Sequence, residues 1–425
     1  MLARYPPQHP YITRNSKLRK LFARLLGFSL LPLLSSLTPL LLLPIVARVG
    51  GVEGWASISL GQAIGAFGAA AVGYGWNVSG PPRSAQSKDE TERRILYMEA
   101  VSVRLFMSLF VIPIVIALTL MVSPLTFGLD AALMAVSMVL VGLSPSWFLI
   151  GQSDPKSIAV FETLPKLAAT GVAAVCLVLT HVLWLYPLLL IVGSLAGLTA
   201  FHRQRFGAWI VPINPLSAQT RRALRSNSST ALVDLTGTTY VAAPLPIIGL
   251  TSNTQELAGA ASGDKLYRYG LFAVVALANG LQSWVLEADA DTRKRLRLSV
   301  IAHVSLGLGG CAGLLWIGPA ASEWLFGSAV GATNPLVAMY GLAFLFVSTS
   351  TPLVRNILLP RQKARLVLRG TISGALFGVV AMIVGGHYFG APGVAAGFAA
   401  SEFLVLVIVV LAVMASPSAP SKRAT

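Results

Sequence analysis

Arg104, Lys166 and Arg268 are cations within long apolar stretches, and Glu162, Asp234 and Glu402 are carboxylates in the same setting. A charge inside a bilayer-spanning helix costs ~2.5–3.5 kcal/mol on insertion scales, so each needs a partner, a wet cavity or a ligand. Arg104 lies about nine residues into its stretch, roughly 14 Å along a helix, with no acid at i±3 or i±4. Glu162 and Lys166 are spaced i,i+4 and can neutralise each other on one helix face. Arg268 stands one turn inside its stretch, close enough to the surface for its head to reach water. Arg355 ends another stretch and can do the same, and Arg48 lies in a short gap. Cations of this kind serve anion recognition, because a guanidinium pairs with phosphate oxygens by two parallel hydrogen bonds. Asp234 and Glu402 have no adjacent basic partner on their own helix. Such a carboxylate can pair with a cation on another helix, or change its protonation or ion occupancy between two conformations.

No pattern for covalent or metal chemistry accompanies them. Asp289-Ala290-Asp291 has the form of a metal-binding D-x-D, but Arg293-Lys294-Arg295 follows it, as at a solvated helix end. Ser153-Asp154-Pro155-Lys156 fits S-x-x-K only as a short turn, and Gly307-Leu308-Gly309-Gly310 has no preceding strand to make it a dinucleotide loop. The five histidines are scattered, and Cys176 and Cys311 form neither a CxxC nor a ligand pattern. No catalytic residue, metal site or cofactor is expected, and the chain does not read as an enzyme.

The elements that carry these charges are helices in a membrane. Twelve apolar stretches are expected at 23–46, 53–78, 95–122, 129–151, 157–180, 183–201, 227–250, 265–289, 298–317, 334–358, 366–389 and 392–415. Each approaches or exceeds the roughly 20 residues a helix needs to cross a bilayer core of about 30 Å. They lack the alternation of a membrane barrel. A mean hydropathy of +0.73 with 11% charged residues excludes an ordinary soluble domain. The even-numbered gaps and the ends hold 26 of the 32 Lys and Arg, while the odd gaps hold only Arg48 and Lys265. Positive loops stay in the cytoplasm, which puts both termini and the even gaps there. The net charge of +16 is therefore a topology signal, and no nucleic-acid partner is expected.

The chain divides at its longest gap. Residues 1–22 read as a cytoplasmic tail, 23–201 as a first six-helix lobe, 202–226 as a cytoplasmic linker, 227–415 as a second six-helix lobe and 416–425 as a second tail. Two such halves around a central cavity are a common transporter plan. The second, seventh and eighth stretches are polar or rich in small residues, among them Gln62, Tyr240, Tyr267 and Asn279. These helices are expected to line the cavity, although small residues also allow close helix packing. Gly61/Gly65 and Gly393/Gly397 read as such contacts. Prolines cluster in the first and seventh stretches, where Pro244 and Pro246 predict a kink.

Several stretches together resemble a known family. Ala47-Arg48-Val49-Gly50-Gly51-Val52-Glu53-Gly54-Trp55 resembles the A-R-x-hydrophobic-G-x-x-x-G-aromatic turn of polysaccharide and O-antigen flippases, a branch of the multidrug/oligosaccharidyl-lipid/polysaccharide exporter superfamily. Arg83-Ser84-Ala85 is similar to that family's basic turn. Pro145-Ser146-Trp147-Phe148-Leu149-Ile150-Gly151 is similar to its W-F-x-x-G signature. Trp324-Leu325-Phe326-Gly327 resembles its L-F-G turn, and Gly390 to Ala396 with Ser401-Glu402 its last helix. The chain departs from the pattern at Ala243-Pro244-Leu245-Pro246, where a polar-acidic stretch is expected.

The resemblance implies translocation of an undecaprenyl-pyrophosphate-linked oligosaccharide across a bacterial plasma membrane, for surface polysaccharide such as O-antigen. On that reading Arg104 and Arg268, then Lys166 and Arg48, are the expected pyrophosphate contacts, and Asp234 and Glu402 the expected sites for a coupling proton or sodium ion. Glycosyltransferases and a polysaccharide polymerase are the implied protein partners. Two alternatives stay open: a cation-coupled drug antiporter of the same superfamily, and a polysaccharide polymerase or ligase. The latter needs a large outer loop, whereas the longest here, 251–264 and 318–333, are about 15 residues.

Overall fold

The computed structural model describes residues 14–208, 217–285 and 292–415. All regular structure among them is helical. In chain order the α-helices are α1 (Arg14–Gly73), α2 (Trp76–Gln86), α3 (Glu90–Val122), α4 (Gly128–Val139), α5 (Ser146–Gly151), α6 (Pro155–Ile158) and α7 (Leu164–Thr180). There follow α8 (Leu185–Phe206), α9 (Ala218–Ala242), α10 (Pro244–Thr251), α11 (Thr254–Val285), α12 (Thr292–Phe326), α13 (Asn334–Leu353) and α14 (Ala364–Met414).

Two of these are too long to be single spans. At 1.5 Å per residue, α1 with 60 residues and α14 with 51 would run roughly 90 and 77 Å. Each is broken at a glycine, Gly51 (φ 57°, ψ −156°) and Gly390 (φ 61°, ψ −148°), in a region that L side chains rarely adopt. At Gly390 the chain doubles back: Gly374 lies against Val405, Gly378 against Ser401 and Gly397 against Ala381. The two arms therefore pack antiparallel on small residues.

The arms of α1 and α14 supply four spans. The others are α3; α4 with α5 across a 3-10 turn (Leu140–Leu143); α6 with α7 across a π-turn (Ala159–Thr163); α8; α9 with α10, bent by 51°; α11; α12; and α13 with its π-turn (Val354–Leu358). The result is an all-α membrane protein of about twelve spans in two lobes. By apolar length alone eight helices qualify as spans, nine with the bent pair. The polar α11 falls short, yet Gln255 at its start donates to Ala329 O (2.7 Å) and Asn279 near its end accepts from Arg355 (2.7 Å).

The gaps sort onto two faces. On the basic-loop face Arg205 pairs with Glu90 at 3.0 Å and reaches Gln152. On the opposite face Leu183 lies against Gly50 and Gly54, and Glu256 accepts from the Ala391 amide at 2.8 Å.

The eighth span begins eleven residues earlier than the expected 265, where Asn253 caps α11: its side chain accepts from Glu256 N (2.9 Å) and donates to Glu256 Oε1 (3.1 Å). Both ends of the 202–226 gap are helical, to Phe206 and from Ala218. Residues 1–13, 209–216 and 416–425, and with them part of the expected linker and tails, lie outside the described residues, as does Asp289-Ala290-Asp291.

The lobes touch near both faces. Towards the opposite face Trp55 donates its indole N–H to Ala258 O (3.2 Å) and Ser262 Oγ (3.0 Å) and stacks on Phe326 (centroids 5.1 Å apart). Towards the basic-loop face Tyr74 donates to Leu224 O (3.1 Å).

Candidate functional site

Arg104 is turned inward by α3, whose start is fixed by Asp89 capping Glu92 N at 2.7 Å. The side chain is 2% exposed. Its guanidinium donates to Ser144 O (2.8 Å) and Asn77 Oδ1 (3.3 Å) and stands 5.3 Å from the Trp147 ring centroid. Ser144 marks the break of the fourth span, between the 3-10 turn and Pro145. Trp147 is held in turn by Trp76, Tyr97 and Phe148 and roofs Gly80, while Gly151 backs onto Pro81 and Ser84. The W-F-x-x-G stretch thus acts by packing, and it gives Arg104 its cation–π surface.

A polar chain continues from Ser144. Its hydroxyl donates to Glu162 Oε2 (2.7 Å), as does that of Ser146, and Lys166 Nζ donates to Glu162 Oε1 (2.8 Å). The expected Glu162–Lys166 pair is present, so Lys166 is committed to it. A cleft of about 30 Å³, room for a water or two, lies beside these residues.

Between the lobes is a cavity of about 260 Å³ with Ala66, Ala69, Ala70, Met138, Val141 and Gly142 in its wall. Asn77 enters it from α2, and Asp234 and Thr238 from α9 of the other lobe. Asp234 Oδ2 is buried without a hydrogen-bond partner. No contact ion pair joins Arg104 and Asp234.

In the second lobe Arg268 Nε pairs with Asp264 Oδ2 (2.6 Å), and its Nη2 donates to Val241 O (2.8 Å) at the α9–α10 bend. It is a clamp on the kinked seventh span. Glu402 is 9% exposed beside Tyr240 and Ser401, whose hydroxyls touch. No cation lies within ion-pair reach of Glu402 among the described residues. Arg48 donates to Trp324 O (2.9 Å) near the opposite face, away from the cavity.

Of the residues singled out from sequence, Asp234 lines the interlobe cavity, Arg104 reaches it through Asn77, and Lys166 is linked to Arg104 through Glu162 and Ser144. Arg268 and Glu402 lie in the other lobe, and Arg48 stands apart. Sequence reasoning missed Asn77, Ser144 and Asp264. For Asp264 the signal existed: Asn253 as an N-cap moves the helix start outward and puts Asp264 on the helix as the i−4 neighbour of Arg268. No group of three or more His, Cys, Asp or Glu that could hold a metal occurs among the described residues.

No family model matches the chain. A curated protein of Shigella dysenteriae described as "Putative O-antigen transporter" is 19% identical over 386 residues, 89% of this chain and 96% of its own. The structure of a "Lipid II flippase MurJ, inward closed conformation" superposes with a TM-score of 0.66 at 11% identity, over 91% of this chain and 87% of that one. An inward-facing multidrug resistance MATE family transporter of the MOP superfamily also gives 0.66, at 13% identity, over 90% and 94%. These likenesses show the fold: the chain is an all-α membrane protein built like the MurJ and MATE structures. The sequence likeness is to the curated O-antigen transporter.

Proposed function

We propose that the chain moves a polyprenyl-pyrophosphate-linked oligosaccharide from the inner to the outer leaflet of a bacterial plasma membrane. The observation that carries this reading is Arg104, a buried guanidinium one residue removed, through Asn77, from an interlobe cavity. A fixed cation there suits a diphosphate and opposes a cationic drug. The lipid tail stays in the bilayer, while headgroup and sugars need a hydrated path. At about 260 Å³ the cavity is below the ~300–1,000 Å³ of a small-ligand site, so the headgroup enters a more open conformation than this one. Arg268, Lys166 and Arg48 contact the substrate only once released from Asp264, Glu162 and Trp324 O. Asp234 and Glu402 take the coupling proton or sodium ion.

The basic-loop face is cytoplasmic on this reading. In intact cells an impermeant maleimide then labels Thr180→Cys and spares Gln204→Cys; the reverse pattern overturns the orientation. The cation-coupled drug antiporter is the second reading, favoured by the unpartnered Asp234 oxygen. A deletion strain decides between them. Flippase loss stops surface glycan and accumulates the lipid-linked oligosaccharide inside, with drug tolerance unchanged. Unchanged glycan with lowered drug tolerance would reverse the choice.

A further inference from the structure

Lys265, which the hydropathy pattern leaves at the very edge of the eighth stretch, lies well inside α11. Because α11 starts at Thr254, Lys265 is eleven residues in, about 16 Å along the helix. Its Nζ crosses the lobe boundary and donates to Gln62 Oε1 at 2.6 Å, on the second arm of α1. Seven residues earlier on both helices Trp55 meets Ala258, at the same sequence offset of 203. The two helices thus lie parallel and in register, and the Gln62–Lys265 bond is the inner end of the seam that closes the opposite face.

The charge at this point is under-compensated. Asp264, 2% exposed, is paired with Arg268. No carboxylate lies within 4 Å of Lys265 among the described residues. Its acceptor is a neutral amide oxygen, and an ammonium at membrane depth gains more from an anionic one.

We propose that the Lys265–Gln62 bond is an anion-operated latch. A phosphate oxygen that reaches Lys265 replaces Gln62 as acceptor, frees the inner end of the seam and lets the lobes part towards the opposite face. The proposal rests on the reading of the substrate as a polyprenyl pyrophosphate, with Arg104 the first contact and Lys265 a later one. A ligand shifts a conformational equilibrium only through its differential affinity for the two states. On this proposal Lys265 supplies that difference: Gln62 takes one of the three ammonium donors, and the rotamer in which Lys265 meets the phosphate is one that leaves Gln62 Oε1. A neutral lipid of the same length has no such effect.

The test uses the full chain in lipid nanodiscs with Cys176→Ala and Cys311→Ala. Spin labels at Thr180→Cys and Ser328→Cys, exposed positions on the opposite face of the two lobes, report their separation. Undecaprenyl pyrophosphate should lengthen the distance in the otherwise unsubstituted protein, and undecaprenol should not. Lys265→Gln should abolish the shift and Lys265→Arg keep it. Gln62→Glu, which gives Lys265 a competing carboxylate, should demand at least ~10-fold more ligand for the same shift. An equal shift in Lys265→Gln overturns the latch, and so does the absence of any shift in the unsubstituted protein. In that last case, transport of the pyrophosphate-linked lipid by the same protein shows separately whether the transport reading stands.

Discussion

Arg104 on one lobe and Asp234 on the other lie to either side of Asn77 without forming an ion pair: the guanidinium hydrogen-bonds Ser144 and Asn77, and the carboxylate, which lines the interlobe cavity with Asn77, keeps one oxygen buried and unpartnered. An unsatisfied buried oxygen is unfavourable in a low dielectric, and a bound proton or cation would relieve it. The cavity therefore presents the Asp234 carboxylate directly and the Arg104 guanidinium only through Asn77.

The proposal that Asp234 and Glu402 take a coupling ion predicts that, in proteoliposomes, an imposed proton or sodium gradient should accelerate transport by the unsubstituted protein. Asp234→Asn and Glu402→Gln should each keep basal transport and lose most of the acceleration. Equal acceleration of all three proteins would remove both carboxylates from the coupling step.

Glu162 and Lys166 make a different demand. Glu162 accepts from Ser144, Ser146 and Lys166, so Glu162→Gln leaves an ammonium unpaired at membrane depth and loosens the turn that carries the Ser144 carbonyl. Their side chains are 17% and 23% exposed, which keeps the cost below the ~3–5 kcal/mol of a fully buried pair; about 1–3 kcal/mol is expected. Glu162→Gln with Lys166→Met should be more stable than Glu162→Gln alone. Thermal unfolding in detergent reads this cycle, and simple additivity would mean that the pair is not coupled.

Hydropathy and loop charge made the helical class and the two-faced topology legible before any coordinates. The kink at Pro244 and the Glu162–Lys166 pair were legible too, because both depend on neighbours in sequence. The partners of Arg104 were not. Ser144 and Asn77 come from spans brought to it by tertiary packing, and a helix pattern carries no record of which faces meet. Lys265 was set at the edge of its span for another reason: Asp264, Lys265 and Arg268 lower the local hydropathy, so the span was started among them, at 265, although the helix is capped further out, at Asn253.

The two glycine breaks supply a test of the fold. Gly51 has open space around it, so Gly51→Ala carries only the backbone strain, ~1–3 kcal/mol. At Gly390 an added Cβ would also meet the Glu256 carboxylate that caps the Ala391 amide. Gly390→Ala should therefore lower the melting temperature more than Gly51→Ala. Equal or reversed effects would show that the Glu256 contact contributes nothing at this break.

Movement of a pyrophosphate-linked glycolipid by way of Arg104 is the central claim, and transport in purified vesicles measures it most directly. The readout is the fraction of a fluorescent polyprenyl-pyrophosphate-linked sugar that becomes accessible to an impermeant reagent. The unsubstituted protein should equilibrate the two leaflets. Arg104→Gln should slow transport by about 10-fold or more, the equivalent of losing a charged hydrogen bond of ~1.5–3 kcal/mol, and Arg104→Lys should fall between because it lacks the planar fork. Transport by folded Arg104→Gln at the unsubstituted rate would contradict the account.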